Sequence, residues 1–593
     1  MSGGSQITFA RTSLVLFGLV WTVPFLQPHH RYPLTAFYSE WLAFALGLAA
    51  ALLLLRRESW REANVPRIAL APFALMLLIG LQVALDRVPY PEQALTATLY
   101  LLWVVVLVQL AQVLKRELGL ASIAQTLAWF AFAGGLLAAF AGLLQHYQFA
   151  TPFDSLIARK VSPAVYGNVG QPNHYATYLT LAVASAVYLH AQRALRAVLA
   201  LPCVALLLFM TTLAASRGPW IYFIALAVLA LLLHRSRRDA ESRRLAVAAL
   251  WLLPGFAVAQ WAATLELLQP REGAVLTSLQ RLFESAGGLA ARLQLAGEAL
   301  RMFVEAPVLG AGFGQFAWHH FLLGPPAEVS RVAGVFDHAH NIVLHLMAES
   351  GLVGVCVVAG AALYWLAGAR RAVLDLAWWW MLAVLAVIAI HSLLEYPLWY
   401  SYFLGPAAFL LGLGAVQVFP VGKPALGHLA AAAALAIGWL NAVSVIVSYR
   451  DFERLVFETR DDALRPDERS FADAIMRVHK EPLLRPYVEL ALTFGIAPSR
   501  EELREKLELN TRVMHFAPID LVVYRQALLL ALSGQREGAL RQLELAMRAY
   551  PGRLDDFAAG LVELARRQPG ELTPLLELAA ARRAERRARS AAQ

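Results

Sequence analysis

The sequence is poor in charged residues. Asp, Glu, Lys and Arg make up 16% of its 593 residues, whereas a soluble globular protein carries roughly 25%. Apolar residues make up 59%, so the chain is predicted to be a polytopic membrane protein. Its two cysteines, Cys203 and Cys356, lie inside apolar segments, where they are expected to pack as small core residues and say little about a redox compartment.

Motifs for nucleotide binding and for several kinds of catalysis are also lacking. The sequence has no P-loop, no glycine-rich nucleotide fingerprint, no serine nucleophile elbow and no Asp-x-Asp pair. The net charge of +9 does not indicate nucleic acid, because Lys and Arg fall in short clusters between apolar runs. We therefore expect no cofactor and no nucleic-acid partner, and any reaction must draw its energy from the substrate.

Long apolar runs are what the chain has instead. About 20 apolar residues cross a bilayer as a helix. On that criterion an all-α protein of about 12–13 transmembrane helices is predicted. The first run lacks a small-residue cleavage site and is expected to be a retained signal anchor. The predicted spans lie near 12–27, 37–55, 68–85, 94–113, 122–146, 171–190, 195–214, 217–234, 245–265, 340–366, 373–391, 399–418 and 425–447.

Positive charge is distributed unequally over the predicted loops. One set of loops holds 17 Lys and Arg residues and the other only five, namely Arg31, Arg87, Arg159, Lys160 and Arg217. Because cytoplasmic loops are enriched in positive charge, the N-terminus is expected to be cytoplasmic. Odd parity then places the 266–339 loop and everything after 447 on the opposite side.

Two regions differ from the short connections. The loop 266–339 carries helical periodicity that breaks at Pro307 and a glycine-rich turn, so an ordered loop is expected. Residues 448–593 are charged and helical, which predicts a soluble domain following a membrane domain of residues 1–447. Within it, residues 518–551 match a tetratricopeptide helix pair, with Gly534 at the turn. This domain could be a protein-interaction module or a stabilising helical cap.

Polar groups recur at the predicted outer boundary. In the segment GNVGQPNHY, Gln171, Asn173 and His174 open the sixth span, and such density of side-chain amides favours hydroxyl-rich ligands over a chance polar cap. Arg217, in a Ser-Arg-Gly turn, could snorkel to headgroups or bind an anion with its planar fork of donors. Arg281, Arg292 and Arg301 follow on helical sequence, where salt bridges are the plainer alternative.

A histidine cluster closes the long loop. His338 and His340 lie within the segment Asp337–Asn341, immediately before an apolar run. Ionisable groups are costly in hydrocarbon, so a cluster at the membrane boundary indicates a site that faces water or substrate. The spacing fits no familiar zinc site, so we expect no metal. A histidine that titrates near neutrality can serve as a general base.

A second histidine stands beside a carboxylate farther along the chain. His391 and Glu395 lie four residues apart and could pair on one helical face. Aromatic residues follow at 396–402, where an interfacial belt and a sugar-stacking surface are both compatible with the pattern.

These motifs together resemble a known superfamily. His340-Asn341, nine residues, Gly351, two residues and Gly354 resemble the H-N-x9-G-x-x-G motif of the O-antigen ligases and polymerases. APVLGAGFGQF resembles the segment that precedes that motif. GNVGQPNHYATYL and PHHRYPLTAFYSEW resemble the PglL-type branch, the bacterial protein O-oligosaccharyltransferases.

The resemblance implies a reaction and a fold of the GT-C-like O-antigen ligase kind. A glycan on undecaprenyl diphosphate would be transferred to a hydroxyl on the periplasmic side of the bacterial inner membrane. His340 would contact or deprotonate the acceptor, while Arg217 and Arg292 would bind diphosphate. Gln171, Asn173, His174, His338, Asn341, His391 and Glu395 are candidates for glycan or acceptor contacts.

Competing functions differ mainly in the acceptor. A pilin-type protein is favoured, with a ligase for lipid A-core second and an O-antigen polymerase third. A transporter predicts inverted repeats and charges near the midplane, whereas the polar groups here gather at one membrane face. A pure scaffold leaves His340 and Arg217 without a purpose.

Overall fold

The structure is a computed structural model that describes residues 3–60, 63–270, 286–324, 334–458, 468–567 and 569–592. It is almost entirely helical, which confirms the predicted all-α membrane fold. In chain order the helices are α1 Gly3–Val20, α2 Val23–Leu26, α3 Phe37–Ala51, α4 Leu70–Ala84, α5 Pro91–Leu118, α6 Leu120–Tyr147, α7 Pro172–Ala191, α8 Ala197–Leu213, α9 Gly218–Arg237, α10 Ala240–Leu250, α11 Leu252–Ala262, α12 Ala286–Glu305, α13 Phe316–Leu323, α14 Ile342–Ala369, α15 Leu376–Ser392, α16 Ser401–Gly414, α17 Pro424–Glu458, α18 Glu468–His479, α19 Arg485–Phe494, α20 Leu503–Phe516, α21 Asp520–Leu532, α22 Arg536–Ala549, α23 Leu554–Arg567 and α24 Pro569–Ala592.

Short elements complete the backbone. In the described ranges, 3-10 turns occur at Leu52–Leu55, Arg57–Trp60, Arg67–Ala69, Asp154–Leu156, Gly167–Val169, Glu266–Leu268, Pro397–Trp399 and Pro551–Arg553. Two three-residue strands, β1 Asn64–Pro66 and β2 Val418–Pro420, pair antiparallel with Val65 opposite Phe419.

Helices occupy all the predicted spans. Within the described ranges, nine stretches are long and apolar enough to cross a membrane: Ile7–Leu26, Phe37–Leu55, Arg67–Ala84, Pro91–Leu118, Leu120–Tyr147, Gly218–Arg237, Ala240–Ala262, Ile342–Ala369 and Pro424–Glu458. Three shorter apolar helices, α8, α15 and α16, coincide with further predicted spans. The chain is therefore a multi-pass membrane protein.

The remaining predicted span is α7, which is buried along almost its whole length. It packs against α6, α8, α9, α10 and α15. Its hydroxyl groups are satisfied inside the protein: Ser185 donates to the backbone oxygen of Leu181 at 2.8 Å and accepts from the Trp380 indole at 2.9 Å. Because its neighbours are helices, α7 tolerates polar residues that a lipid-facing helix would not.

The chain divides into two compact units. The first comprises residues 1–75, 99–286 and 357–446, and the second comprises 76–98, 287–356 and 447–593. The predicted boundary between a membrane domain and a C-terminal helical domain at residue 447 stays a prediction.

In the second unit, the C-terminal helices pack on the helix of the long loop. Phe321 of α13 is fully buried in a core formed mainly by α20–α24, where it joins Val513 and Met514 of α20. The ring of Trp318 lies 4.2 Å from that of His515. Burial lowers the pKa of His515, so this imidazole is favoured in its neutral form at the contact. The C-terminal helices therefore pack directly against α13 of the loop.

The predicted helix pair of residues 518–551 is present as α21 and α22. Gly534 forms the turn with φ of +82°, a conformation that glycine adopts without steric cost. Ala539 and Ala546 are buried between the helices. The assignment to the tetratricopeptide family stays a prediction.

A buried carboxylate joins the C-terminal helices to the segment before α5. Glu489 accepts hydrogen bonds from Tyr90 Oη at 2.7 Å, from Arg512 Nε and Nη2 at 2.8 Å each, and from His479 Nε2 at 3.1 Å. Burial raises the pKa of Glu489, but the bonds from Arg512, Tyr90 and His479 outweigh it, and the pKa lies below its ordinary value. Glu489 is therefore an ionised, multiply bonded contact point.

Candidate active site

The histidine cluster lies in an irregular segment of the second unit, before α14. The tenth span was predicted to begin near residue 340, at His340, whereas α14 begins at Ile342. Asn341 is the residue that caps it, since its Oδ1 accepts from the amides of Val343 at 3.0 Å and Leu344 at 3.1 Å. His340 itself has φ of +51°, in the left-handed region that is uncommon for residues other than glycine. Its half-buried ring packs edge-on to Phe336, with centroids 5.9 Å apart.

Two glycines let the loop turn and α14 approach each other closely. We call the turn 306–316 and the break at Gly351 the glycine clasp. Gly351 has φ of +60° and interrupts α14, and a Cβ there would lie 2.5 Å from the carbonyl oxygen of Val308. A Cβ on Gly310 would lie 2.2 Å from the carbonyl carbon of Glu349. The motif glycine Gly351 is thus required by backbone contact.

The amides of the glycine-rich turn are already engaged. Every backbone N–H from Gly310 to Phe316 has an acceptor. Those of Gly310, Ala311, Gly312 and Gln315 donate to the backbone oxygens of Ala306, Ala348, Glu349 and Gly312, respectively. Those of Phe313, Gly314 and Phe316 donate to the side-chain oxygens Gln82 Oε1, Glu349 Oε2 and Glu349 Oε1, respectively. Glycine-rich turns bind phosphate only when their amides point outward unpaired. This turn therefore shapes the site without itself offering an anion cradle.

A buried carboxylate and two histidines lie beneath the cluster. Glu349 is 2% exposed, and its Oε2 lies 3.3 Å from His345 Nε2. The His345 ring stacks on the His338 ring at 4.9 Å between centroids, and His338 Nδ1 lies 2.9 Å from Asp337 Oδ1. Burial lowers the pKa of His338, and the Asp337 carboxylate partly offsets this effect. His338 is thus packed into the site and favoured in its neutral form.

Helix α12 places the loop arginines. Leu295, Ala299 and Met302 share a small core with Phe316, Ala339 and Ala348. Arg292 lies three residues before Leu295 and is half-buried, so it extends the face of α12 that packs toward Ala339. Arg301 is exposed and lies off that face, whereas Arg281 falls outside the described residues.

Residues of two distant motifs meet in the first unit. Gln171 caps α7 by accepting from the His174 amide at 2.6 Å, and Asn173 donates to Glu395 Oε1 at 2.9 Å. Helix α15 ends at Ser392, so Glu395 lies in the turn that follows it, where its amide still donates to the backbone oxygen of His391 at 2.8 Å.

The two histidines of this cluster are buried. The rings of His174 and His391 lie 5.4 Å apart, and His391 Nδ1 is 2.9 Å from the hydroxyl of Thr177. In the described part of the chain, no group bonds the buried His391 Nε2. Tyr400 stacks edge-on against His174 at 4.7 Å. The structure thus brings together Asn173, His174, His391 and Glu395.

Arg217 lies in the tight turn between α8 and α9 of the first unit. It precedes Gly218, the first residue of α9, and its side chain is half-buried. Ala215, two residues earlier, has φ of +52°, and Ser216 is 4% exposed. The sharp turn fixes the backbone from which the guanidinium extends.

Several known families and proteins are similar to this chain. Residues 202–359 match a family described as O-Antigen ligase, and residues 165–190 match one described as Protein glycosylation ligase. A general O-oligosaccharyltransferase of Acinetobacter baylyi is 28% identical over 413 residues, which cover 67% of this chain and 68% of that protein. The chain is a glycosyltransferase, and its resemblance to the PglL-type O-oligosaccharyltransferases is confirmed.

Two further matches concern the same enzyme class and the C-terminal part of the chain. A ComP-specific O-oligosaccharyltransferase of the same organism is 24% identical over 253 residues, 42% of this chain and 44% of that protein. Residues 379–562 of the glycosyltransferase match a family described as Virulence factor membrane-bound polymerase, C-terminal. The O-antigen ligase match includes Arg217, Arg292 and His340, while the third family match includes His391 and Glu395.

Some residues that shape the site of this glycosyltransferase were not found from the sequence. Glu349 and His345 lie four apart on an apolar run, a spacing that could have indicated a paired histidine and carboxylate. Gln82 donates to the backbone oxygens of Leu309 at 2.6 Å and Glu349 at 2.7 Å. These partners are 227 and 267 residues away in sequence, and no local signal reveals them.

Proposed function

We propose that this glycosyltransferase moves a preassembled glycan from undecaprenyl diphosphate to a hydroxyl of a pilin-type protein in the periplasm. The observation that carries the proposal is the left-handed backbone of His340, which lies between the buried Ala339 and the helix-capping Asn341. Residues in sparsely populated conformations cost energy and cluster at functional sites. The match of residues 165–190 to a family described as Protein glycosylation ligase supports transfer to protein.

The reaction follows from the properties of the leaving group. His340 accepts the proton of the acceptor hydroxyl as its oxygen bonds to the anomeric carbon of the glycan. The bond from that carbon to the phosphate oxygen breaks, and the diphosphate departs with the electron pair. Arg217 and Arg292 bind the diphosphate through charge-assisted hydrogen bonds, which strengthen as negative charge develops. The protonated His340 then releases its proton to solvent, which restores the neutral imidazole, so atoms and charge balance.

Burial supports Arg292 over Arg301 as the second phosphate ligand. Arg292 lies on the stripe of α12 that packs toward Ala339, next to His340, whereas Arg301 is exposed. A half-buried guanidinium interacts more strongly with an anion than an exposed one, because solvent screens it less.

The polar cluster of the first unit supplies candidate contacts to the glycan or the acceptor. Asn173 and Glu395 pair beside His174 and His391, and Tyr400 presents an aromatic ring there. Amides and carboxylates bond sugar hydroxyls, and aromatic rings pack on the apolar face of sugars. Gln171, His338 and Asn341 have structural bonds of their own, and we retain them as secondary candidates.

The orientation of the enzyme is also proposed. The excess of Lys and Arg in one set of loops supports an inner-membrane protein with a cytoplasmic N-terminus. The long loop with His340, and the C-terminal helices that pack on it, would then be periplasmic. The enzyme would then encounter the flipped lipid-linked glycan and the pilin on the same side of the membrane as His340.

A ligase that attaches the glycan to lipid A-core is the second candidate, followed by a polymerase. The match of residues 202–359 to a family described as O-Antigen ligase favours it. The reaction at the anomeric carbon would be the same, and only the hydroxyl acceptor would differ.

The test is transfer in a strain that makes a lipid-linked glycan and carries both a pilin and lipid A-core. We expect the glycan on the pilin. His340→Ala should lower transfer by about 10²–10⁴-fold, the range of a lost general base. His338→Ala is the matched control, and it should retain more activity than His340→Ala at equal expression.

Three outcomes would contradict the proposal. If the glycan appeared on lipid A-core alone, the acceptor would be lipid A-core and not the pilin. If His340→Ala transferred glycan at a near-normal rate, His340 would not be the general base. If Arg301→Ala raised the KM for the lipid-linked glycan more than Arg292→Ala, the second phosphate ligand would be misassigned.

A further inference from the structure

The proposed reaction does not use the most deeply buried charge near the histidine cluster, the carboxylate of Glu349. Its Oε1 accepts from the amide of Phe316 at 2.9 Å, and its Oε2 accepts from the amide of Gly314 at 2.9 Å. Oε2 also faces Nε2 of His345 at 3.3 Å. Burying a carboxylate costs several kcal/mol unless such bonds compensate, so this arrangement does more than fill space.

The carboxylate determines which nitrogen of His345 carries hydrogen. An ionised carboxylate only accepts hydrogen bonds, so Nε2 is the protonated nitrogen of the neutral ring. Nδ1 then keeps its lone pair, and it lies 3.4 Å from the backbone nitrogen of Ala339, which donates to it. Both Ala339 and His345 are 3% exposed, so water does not compete for this contact.

Ala339 connects the two histidines of the cluster. Its amide belongs to the peptide between His338 and Ala339, and the next residue is His340 with φ of +51°. On the other side of His340, Asn341 caps α14. The unfavourable backbone of His340 is thus held between two residues that are each bonded to α14.

We propose that His345 and Glu349 are positioning residues for His340. Glu349 fixes the tautomer of His345, and His345 fixes the amide of Ala339, which orients His340 toward the hydroxyl acceptor. This inference rests on the proposed role of His340 as base. Neither residue touches substrate in this scheme, and both act through the backbone.

Two substitutions of His345 separate positioning from general support. His345→Asn places an amide oxygen where Nδ1 lies, so it can still accept from Ala339. His345→Gln places its amide where Nε2 lies, so it can still donate to Glu349 but offers Ala339 no acceptor. Both remove the ring, and both leave Glu349 its bonds to Gly314 and Phe316.

The measurement is steady-state transfer by the full-length enzyme in detergent, with the lipid-linked glycan and the pilin as substrates. A displaced catalytic group costs about 10²-fold in rate, so His345→Gln should lose kcat on that scale with an unchanged KM for the lipid-linked glycan. His345→Asn should recover most of that loss. Glu349→Gln should behave like His345→Gln, because its amide no longer enforces the tautomer.

The inference is overturned if His345→Gln equals or exceeds His345→Asn in kcat, or if the effect appears in the KM for the lipid-linked glycan alone. It is also overturned if the loss of activity in each variant matches its loss of thermal stability. His340→Ala in the same assay separates the two proposals: a fully active His340→Ala rejects the base, whereas an inactive one beside fully active His345 variants rejects the positioning role alone.

Discussion

Replacing Glu489 by glutamine should loosen the C-terminal helices that support the long loop. The carboxylate accepts four hydrogen bonds at 2.7–3.1 Å, and glutamine has one acceptor oxygen and no charge. Hydrogen bonds to a buried charge contribute about 1.5–3 kcal/mol each. The Arg512 side chain is 47% exposed, and solvent screening weakens its ion pair, so we expect a loss of about 2–4 kcal/mol in total.

Hydrogen exchange of the purified enzyme measures this loss locally. The free energy of opening should fall in peptides covering Arg485–Phe494 and Leu503–Phe516, the helices that carry Glu489 and Arg512. Glu508→Gln is the matched control, because its partner Arg504 is 87% exposed and the pair is screened. If both variants exchanged alike, the four bonds to Glu489 would not stabilise these helices and the reasoning would fail.

Three further predictions follow from features of the second unit. Folding lowers the pKa of Glu489 from 4.5, so its ionised form stabilises the native enzyme. The difference in free energy of unfolding between the native enzyme and Glu489→Gln should therefore be constant above pH 4.5 and shrink as the pH falls through the lowered pKa. A difference that grew in acid would contradict this prediction. Gly310→Ala should abolish the yield of folded enzyme, because its Cβ would lie 2.2 Å from the carbonyl carbon of Glu349. Gly360→Ala is the control and should express normally, because a Cβ there would have nothing within 4 Å. Equal yields would show that the glycine clasp does not need glycine at 310. Asn341→Asp should keep the helix cap and the activity, whereas Asn341→Ala should lose about 1 kcal/mol of stability. If the Asp variant were as inactive as the Ala variant although its cap is kept, the side-chain amide would instead be assigned to substrate.

The transmembrane helices were predictable because their signal is local. An apolar run of about 20 residues identifies a span without reference to its partners, and α7 was found in this way despite its polar residues. The break in α14 at Gly351 was not predictable. There the amides of Leu352 and Val353 bond to the backbone oxygens of Pro307 at 2.8 Å and Val308 at 3.2 Å. These tertiary hydrogen bonds replace the hydrogen bonds of a regular helix, and the periodicity of apolar residues along the sequence does not reveal them.

The candidate site divides in the same way. His340 and Arg217 were predicted because their residue types and motif spacing are visible in sequence. The helix start was misplaced by two residues, since the left-handed backbone of His340 depends on contacts around it. Glu349 and Gln82 were missed because their roles arise from partners in distant segments.

The glycine clasp limits how enzymes of this type can be recombined. Residues 306–316 and 349–353 are joined by backbone hydrogen bonds that leave no space for side chains at Gly310 or Gly351. A chimera that takes only the histidine cluster and the start of α14 from another enzyme would pack foreign backbone against the native turn 306–316. Exchanges aimed at a new acceptor should therefore move both segments as one module, with crossovers inside α12 and beyond Gly354 in α14.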